Sequence, residues 1–148
     1  MVGQRTMADL HFDGSVWCNI NIALCHLETM YKQETELLGL TVIEWCVLQM
    51  LYDKDGQMAS RLADGVGRAA TSFTPILDKL QDKGFIERRS HPANQRAIRI
   101  YLTAEGKKLE ELVRASVERI ESRLRRQLSD AEWQVYQCVI EDLQSLTL

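Results

Sequence analysis

Proline is scarce: Pro75 and Pro92 are the two in 148 residues, so helices have few obligatory breaks. Gly-rich or Ser-rich linkers, repeats and low-complexity tracts are absent, which points to one compact unit over 1–148. No apolar run approaches the roughly 18 residues of a membrane span. Met1–Phe12 shows no basic stretch followed by an apolar core. We therefore expect neither a membrane partner nor a secretory leader, and a cytoplasmic location. Four cysteines without such a leader are expected to be reduced thiols rather than a disulfide framework. No Cys-x-x-Cys or His-x-x-x-His pair occurs, and His11, His26 and His91 are scattered, so no metal site is expected. A phosphate-cradling loop and a nucleophile elbow are also missing, and Gly65-Val66-Gly67 is a lone turn. The chain reads as neither an enzyme nor a cofactor carrier.

What is present is an ordinary globular mixture, 45% apolar and 26% charged, arranged mostly at helical spacing. Trp17, Ile20, Leu24, Leu27, Tyr31 and Leu38 form a seam on a helix expected over 15–38. Gly39 can end it, and Thr41 with Glu44 forms a capping box for the next helix. A short helix follows over 59–65. Another, from about Ala70 to Lys83, places Phe73, Ile76, Leu77 and Leu80 on one face. The period then changes. Residues 85–89 and 97–102 read as two strands, with Ile98, Ile100 and Leu102 on one face. A six-residue turn, Ser90–Gln95, joins them. Thr103 caps a long helix expected over 104–126, and Ser129 with Glu132 caps the last one.

This order of helix, short helix, helix and hairpin is that of a winged helix-turn-helix. The fold class is mainly α with a small β-hairpin, flanked by N- and C-terminal dimerisation helices. The DNA-binding unit is expected over 40–103, with 15–38 and 104–148 forming the dimer. The second helix of such a unit enters the major groove, and the hairpin, or wing, reaches an adjacent groove. Charge agrees with that reading. Met58–Thr103 holds eight basic and four acidic side chains, net +4, leaving −7 for the rest of a chain whose total is −3. Neutralising phosphates takes local cations rather than a basic protein. The expected DNA contacts are Arg61, Arg68, Thr71, Ser72, Thr74, Lys79, Arg89, Asn94, Gln95 and Arg96. Small hydroxyl residues allow close approach to phosphates and base edges. Arg96, just past the wing tip, suits a narrow minor groove. Pro75 either bends its helix or sits near enough to the start to be tolerated. Apolar faces on the terminal helices exceed what a small winged unit covers, which argues for a homodimer.

The sequence resembles the MarR family of transcription regulators from about Ser15 onward. The resemblance is carried by Leu40-Thr41, by Arg61-Leu62-Ala63 and by the run from Leu77 to Arg88. It continues in Pro92-Ala93-Asn94-Gln95-Arg96-Ala97 and in Leu102 to Gly106. It departs at Asn94, where the family usually has Asp, so Asn94 can hydrogen-bond Arg96 but not pair with it ionically. The resemblance implies a homodimer on a pseudo-palindromic operator in double-stranded DNA, usually a repressor relieved by a small ligand or by oxidation.

Thr74-Pro75 is similar to the organic-hydroperoxide-sensing branch, whose sensor is a first-helix cysteine. Counting back from Leu40-Thr41 puts that position at Trp17, one residue from Cys18, or about 100° around a helix. Cys18 is thus a possible redox sensor. Cys18 and Cys25, roughly 10.5 Å apart along a helix, are too distant for an intrahelical disulfide. Small buried hydrophobes are the plain alternative for all four cysteines. A small aromatic or acidic ligand is the other candidate signal, in a cleft lined by Trp17, His26, Tyr31, Trp45 and Arg61. Core packing is the plain alternative for the aromatics. The competing functional class is a winged-helix protein-interaction module that does not bind DNA.

Overall fold

The computed structural model describes residues 15–147, except the side chains of Gln95 and Arg96. These residues fall into two bodies: a central one over 28–116, and a terminal one containing 15–27 and 117–147. In chain order the helices and strands are α1 (Val16–Thr35), α2 (Val42–Asp53), β1 (Gln57–Met58), α3 (Ala59–Gly65) and α4 (Ala70–Asp82). They continue with β2 (Ile86–His91), β3 (Asn94–Leu102), α5 (Ala104–Lys108), α6 (Glu110–Arg125) and α7 (Asp130–Gln144). Among the described residues, no single helix is long and apolar enough to cross a membrane.

Local signals set most boundaries. α1 ends earlier than its apolar seam suggests, passing into a tight 3-10 turn over Glu36–Leu38 that Gly39 closes at φ 68°. Thr41 and Glu44 form the expected capping box, as do Ser129 and Glu132. α4 carries Pro75 without interruption and ends in a Schellman motif. There the N–H of Gly84 donates to the Gln81 carbonyl, and the N–H of Phe85 to the Leu80 carbonyl.

The core of the central body brings α2, α3, α4 and the sheet together through Leu48, Leu51, Leu62, Phe73, Leu77, Leu80, Ile86 and Ile100, all buried. Strand order is β1-β3-β2, antiparallel throughout. The sheet thus has three strands, one more than the expected hairpin. Two-residue β1 is too short to show alternation; its pairing, Gln57 with Ile100, is set by the tertiary fold.

Three further expectations change. The wing turn is shorter than six residues: β2 runs to His91, β3 starts at Asn94, and Pro92-Ala93 make the tip. His91 pairs with Asn94, and its Nδ1 accepts the Ala93 N–H. Polar residues paired on an exposed ribbon leave no apolar period to read. Ile98 is exposed toward that tip, whereas Ile100 and Leu102 are buried. The helix expected over 104–126 breaks at Leu109. Its first turn presses against the entry of β2: a Cβ at Gly106 would meet the Phe85 carbonyl oxygen at 2.1 Å. The Gly106 carbonyl also accepts the Tyr52 hydroxyl at 2.8 Å. Burial, with Glu110 nearby, pushes the Tyr52 phenol up to about 12, so that hydroxyl stays a donor.

Candidate nucleic-acid interface

The apolar period of α4 turns Phe73, Leu77 and Leu80 inward, and this alone decides what the helix shows outward. Thr71, Ser72, Thr74, Pro75, Asp78 and Lys79 are all exposed. Ser72 Oγ donates to the Ala69 carbonyl and Thr74 Oγ1 to the Ala70 carbonyl. Both hydroxyls therefore offer their lone pairs outward, as acceptors for base amino groups. The N-cap Ala69 has no side-chain cap, so the helix start keeps donors free for a phosphate oxygen.

The cations divide into two sets. Arg88, projecting from β2, pairs with Asp78 at 2.6 Å and reaches the Thr74 carbonyl at 3.4 Å. It covers the one carboxylate in the middle of the outward face and ties the wing to α4. Arg89, one residue on, faces the other side of the ribbon. It pairs with Glu87 and lies 4.4 Å over the Tyr101 ring. Arg99 donates to the Gly56 carbonyl at 2.8 Å. These two arginines, with Ser90, His91, Pro92 and Tyr101, border an open cavity of about 280 Å³ behind the wing. Arg61 on α3, Arg68 in the α3–α4 turn and Lys79 on α4 are exposed and, among the described residues, hold no internal ion pair. Asn94 begins β3 and is exposed. The side chains of Gln95 and Arg96 lie outside the described residues.

The candidate ligand residues belong to both bodies. Tyr31 and Trp45 meet in the central body, edge to face at 5.5 Å. Trp45 is buried, and its indole N–H donates to Ser116 Oγ at 2.8 Å. Arg61, in the same body, is exposed on α3. Trp17 and His26 belong to the terminal body, both exposed. Cys18 is half-buried there, its backbone N–H donating to Ser15 Oγ. Cys25 and Cys138 are exposed, against the buried-hydrophobe expectation. Cys46 is half-buried, and burial pushes its thiol pKa up, away from the reactive thiolate.

Sequence reasoning missed Arg88 as a brace and Glu44 as more than a cap. Period-2 alternation separates Arg88 from Arg89 and was a usable signal for the first. Nothing local signals the second.

Comparison with known proteins gives the following. The model of the MarR family matches residues 40–98. The transcriptional regulator HosA of Escherichia coli O111:H- is 28% identical over 94 residues, 60% of this chain and 70% of that protein. The HTH-type transcriptional repressor YetL of Bacillus subtilis is 32% identical over 108 residues, 71% of this chain and 64% of YetL. Among solved structures, the MepR–DNA complex of S. aureus is similar at TM-score 0.80 and 24% identity, covering 89% of this chain and 98% of that one. A mutant MarR from E. coli complexed with operator DNA is similar at TM-score 0.76 and 19% identity, covering 84% of this chain and 89% of that one.

Proposed function

From the match of residues 40–98 to the MarR family model we propose that the chain is a regulator of that family, a sequence-specific DNA-binding transcriptional regulator acting as a homodimeric repressor. The observation that carries this reading is the outward face of α4. It combines hydroxyl acceptors, an open helix start, a neutralised Asp78 and the uncommitted cations Arg61, Arg68 and Lys79. Residues 40–103 would form the DNA-binding unit; 15–38 and 104–148 would form the dimer. Selection of bound duplexes from random DNA tests the reading. The expected product is a pseudo-palindrome with half-sites about one helical turn, or a multiple, apart. Its binding should weaken steeply with salt. Absent or salt-insensitive binding would favour a protein-interaction module instead.

The dimer is supported by apolar side chains left in water. On α1, Trp17 is 74% and Leu24 57% exposed; on α7, Val135 is 62% exposed. Such faces are normally covered by a twin chain. Leu24→Asp is expected to shift the sedimenting species from dimer to monomer at micromolar concentration and to weaken operator binding with it. A variant that stays dimeric would remove α1 from the interface.

Release is assigned to a small aromatic or acidic ligand or to oxidation at Cys18. Peroxide treatment separates the two. If Cys18 is the sensor, wild type should leave DNA while Cys18→Ser stays bound; equal behaviour would exclude Cys18.

A further inference from the structure

The lysine that closes α4 keeps 34% of its side chain exposed but turns its ammonium onto the protein. Lys83 Nζ donates to the Gly39 carbonyl at 2.8 Å and to Glu44 Oε2 at 2.6 Å. The same Oε2 accepts the Thr41 N–H at 2.8 Å, so one carboxylate oxygen both caps α2 and grips the end of α4. Glu44 is 1% exposed, and its other oxygen, Oε1, is buried without a hydrogen-bond partner. A carboxylate desolvated to that degree depends on its counter-ion. The pair therefore fastens three pieces of backbone at one ammonium: the turn after α1, the start of α2 and the end of α4.

The next residue turns the other way. Trp45 packs on Tyr31 of α1 and donates to Ser116 Oγ of α6, whose hydroxyl donates to the Val113 carbonyl. The first turn of α2 is thus anchored to α1 and α6 through Trp45, and to α4 through Glu44. At its middle, α4 is braced from the wing by Arg88 on Asp78. These two ties add to the packing of Phe73, Leu77 and Leu80 in fixing where its outward face lies.

We propose that Glu44 and Lys83 are positioning residues for operator recognition: they place α4 through the first turn of α2 and touch no DNA themselves. The inference rests on the DNA-binding reading above. It also removes Lys83 from the phosphate-binding cations, although its charge counts in the basic segment.

The test uses the full chain, a duplex selected by wild type from random DNA, and an unrelated duplex of equal length. Lys83→Met is expected to weaken binding to the selected duplex by about tenfold or more while leaving the unrelated duplex within about twofold. The slope of log affinity against log salt should stay at the wild-type value, because no phosphate contact is lost. Lys83→Arg, which can keep both hydrogen bonds, is expected to recover most of the loss. Equal weakening on both duplexes, with the slope falling by about 2, one for each protomer of the dimer, would make Lys83 a phosphate contact and overturn the proposal. Unchanged selectivity would overturn it too, since lost stability alone lowers the folded fraction and not the ratio of the two affinities. If Lys83→Met does not fold, Glu44→Gln is read by the same ratio, as glutamine keeps a capping oxygen and the side-chain shape. Wild type that binds neither duplex retires the DNA reading and this inference with it. Wild type that binds, with variants of unchanged selectivity, retires the inference alone.

Discussion

Replacing Arg61, Arg68 and Lys79 together with alanine is expected to remove most of the salt-dependent affinity for DNA. The expectation follows from where the other described cations of the basic segment are spent; the side chain of Arg96 lies outside the described residues. Lys83 is held by Glu44 and Gly39, Arg88 by Asp78, Arg89 by Glu87 and Tyr101, and Arg99 by Gly56. A guanidinium already paired has less to gain from a phosphate than one held only by water. Arg61, Arg68 and Lys79 are exposed and keep their full charge for a partner. If each meets one phosphate per protomer, a dimer releases counter-ions at about six sites, and the salt slope falls by about 5 in the triple variant. The accompanying loss of affinity at moderate salt is on the order of a thousandfold. Lys32→Ala and Lys108→Ala make suitable controls, because these lysines pair with Glu28 and Glu105 on their own helices. A triple variant that keeps the wild-type slope would mean that the duplex lies elsewhere.

Gly106→Ala is expected to lower stability by about 2–3 kcal/mol, although alanine is the better helix former. Two effects oppose each other. Helix propensity favours alanine by about 1 kcal/mol. Against it stands the Phe85 carbonyl oxygen, 2.1 Å from where the new Cβ would sit. That oxygen belongs to backbone and already accepts the Thr103 N–H, so it cannot swing away as a flexible side chain would. Overpacking against backbone costs more than the propensity gain. The melting temperature should fall by about 6–9 °C for a chain of this size. Phe85 also closes the Schellman end of α4, so the displacement should reach that helix. An unchanged or raised melting temperature would show that α5 can move off the strand.

The two capping boxes, the inward face of α4 and the helix–helix–hairpin order were all legible in the residues. Each rests on contacts within a few positions of chain: Thr41 with Glu44, Ser129 with Glu132, and apolar side chains at three and four residues' spacing. The exposure of Thr71, Ser72, Thr74 and Lys79 follows from the same period. Strand β1, the two-residue wing tip and the break at Leu109 were not legible. β1 exists through its partner β3, and the break reflects the approach of Gly106 to Phe85, for which the whole wing must first fold back.

By itself, then, the sequence determined the order of helices and hairpin, the apolar face of α4, and that positive charge collects between Met58 and Thr103. It could not say which cations of that segment remain available. Glu44 and Lys83 are 39 positions apart, and Arg99 and Gly56 are 43 apart. Pairing over such distances is decided by packing, which alone brings the groups together and excludes the water that would otherwise solvate them. Scarcity of proline left the helices few obligatory breaks, but the tertiary structure placed the break at Leu109 and separated cations that hold the fold from cations still free to meet a phosphate.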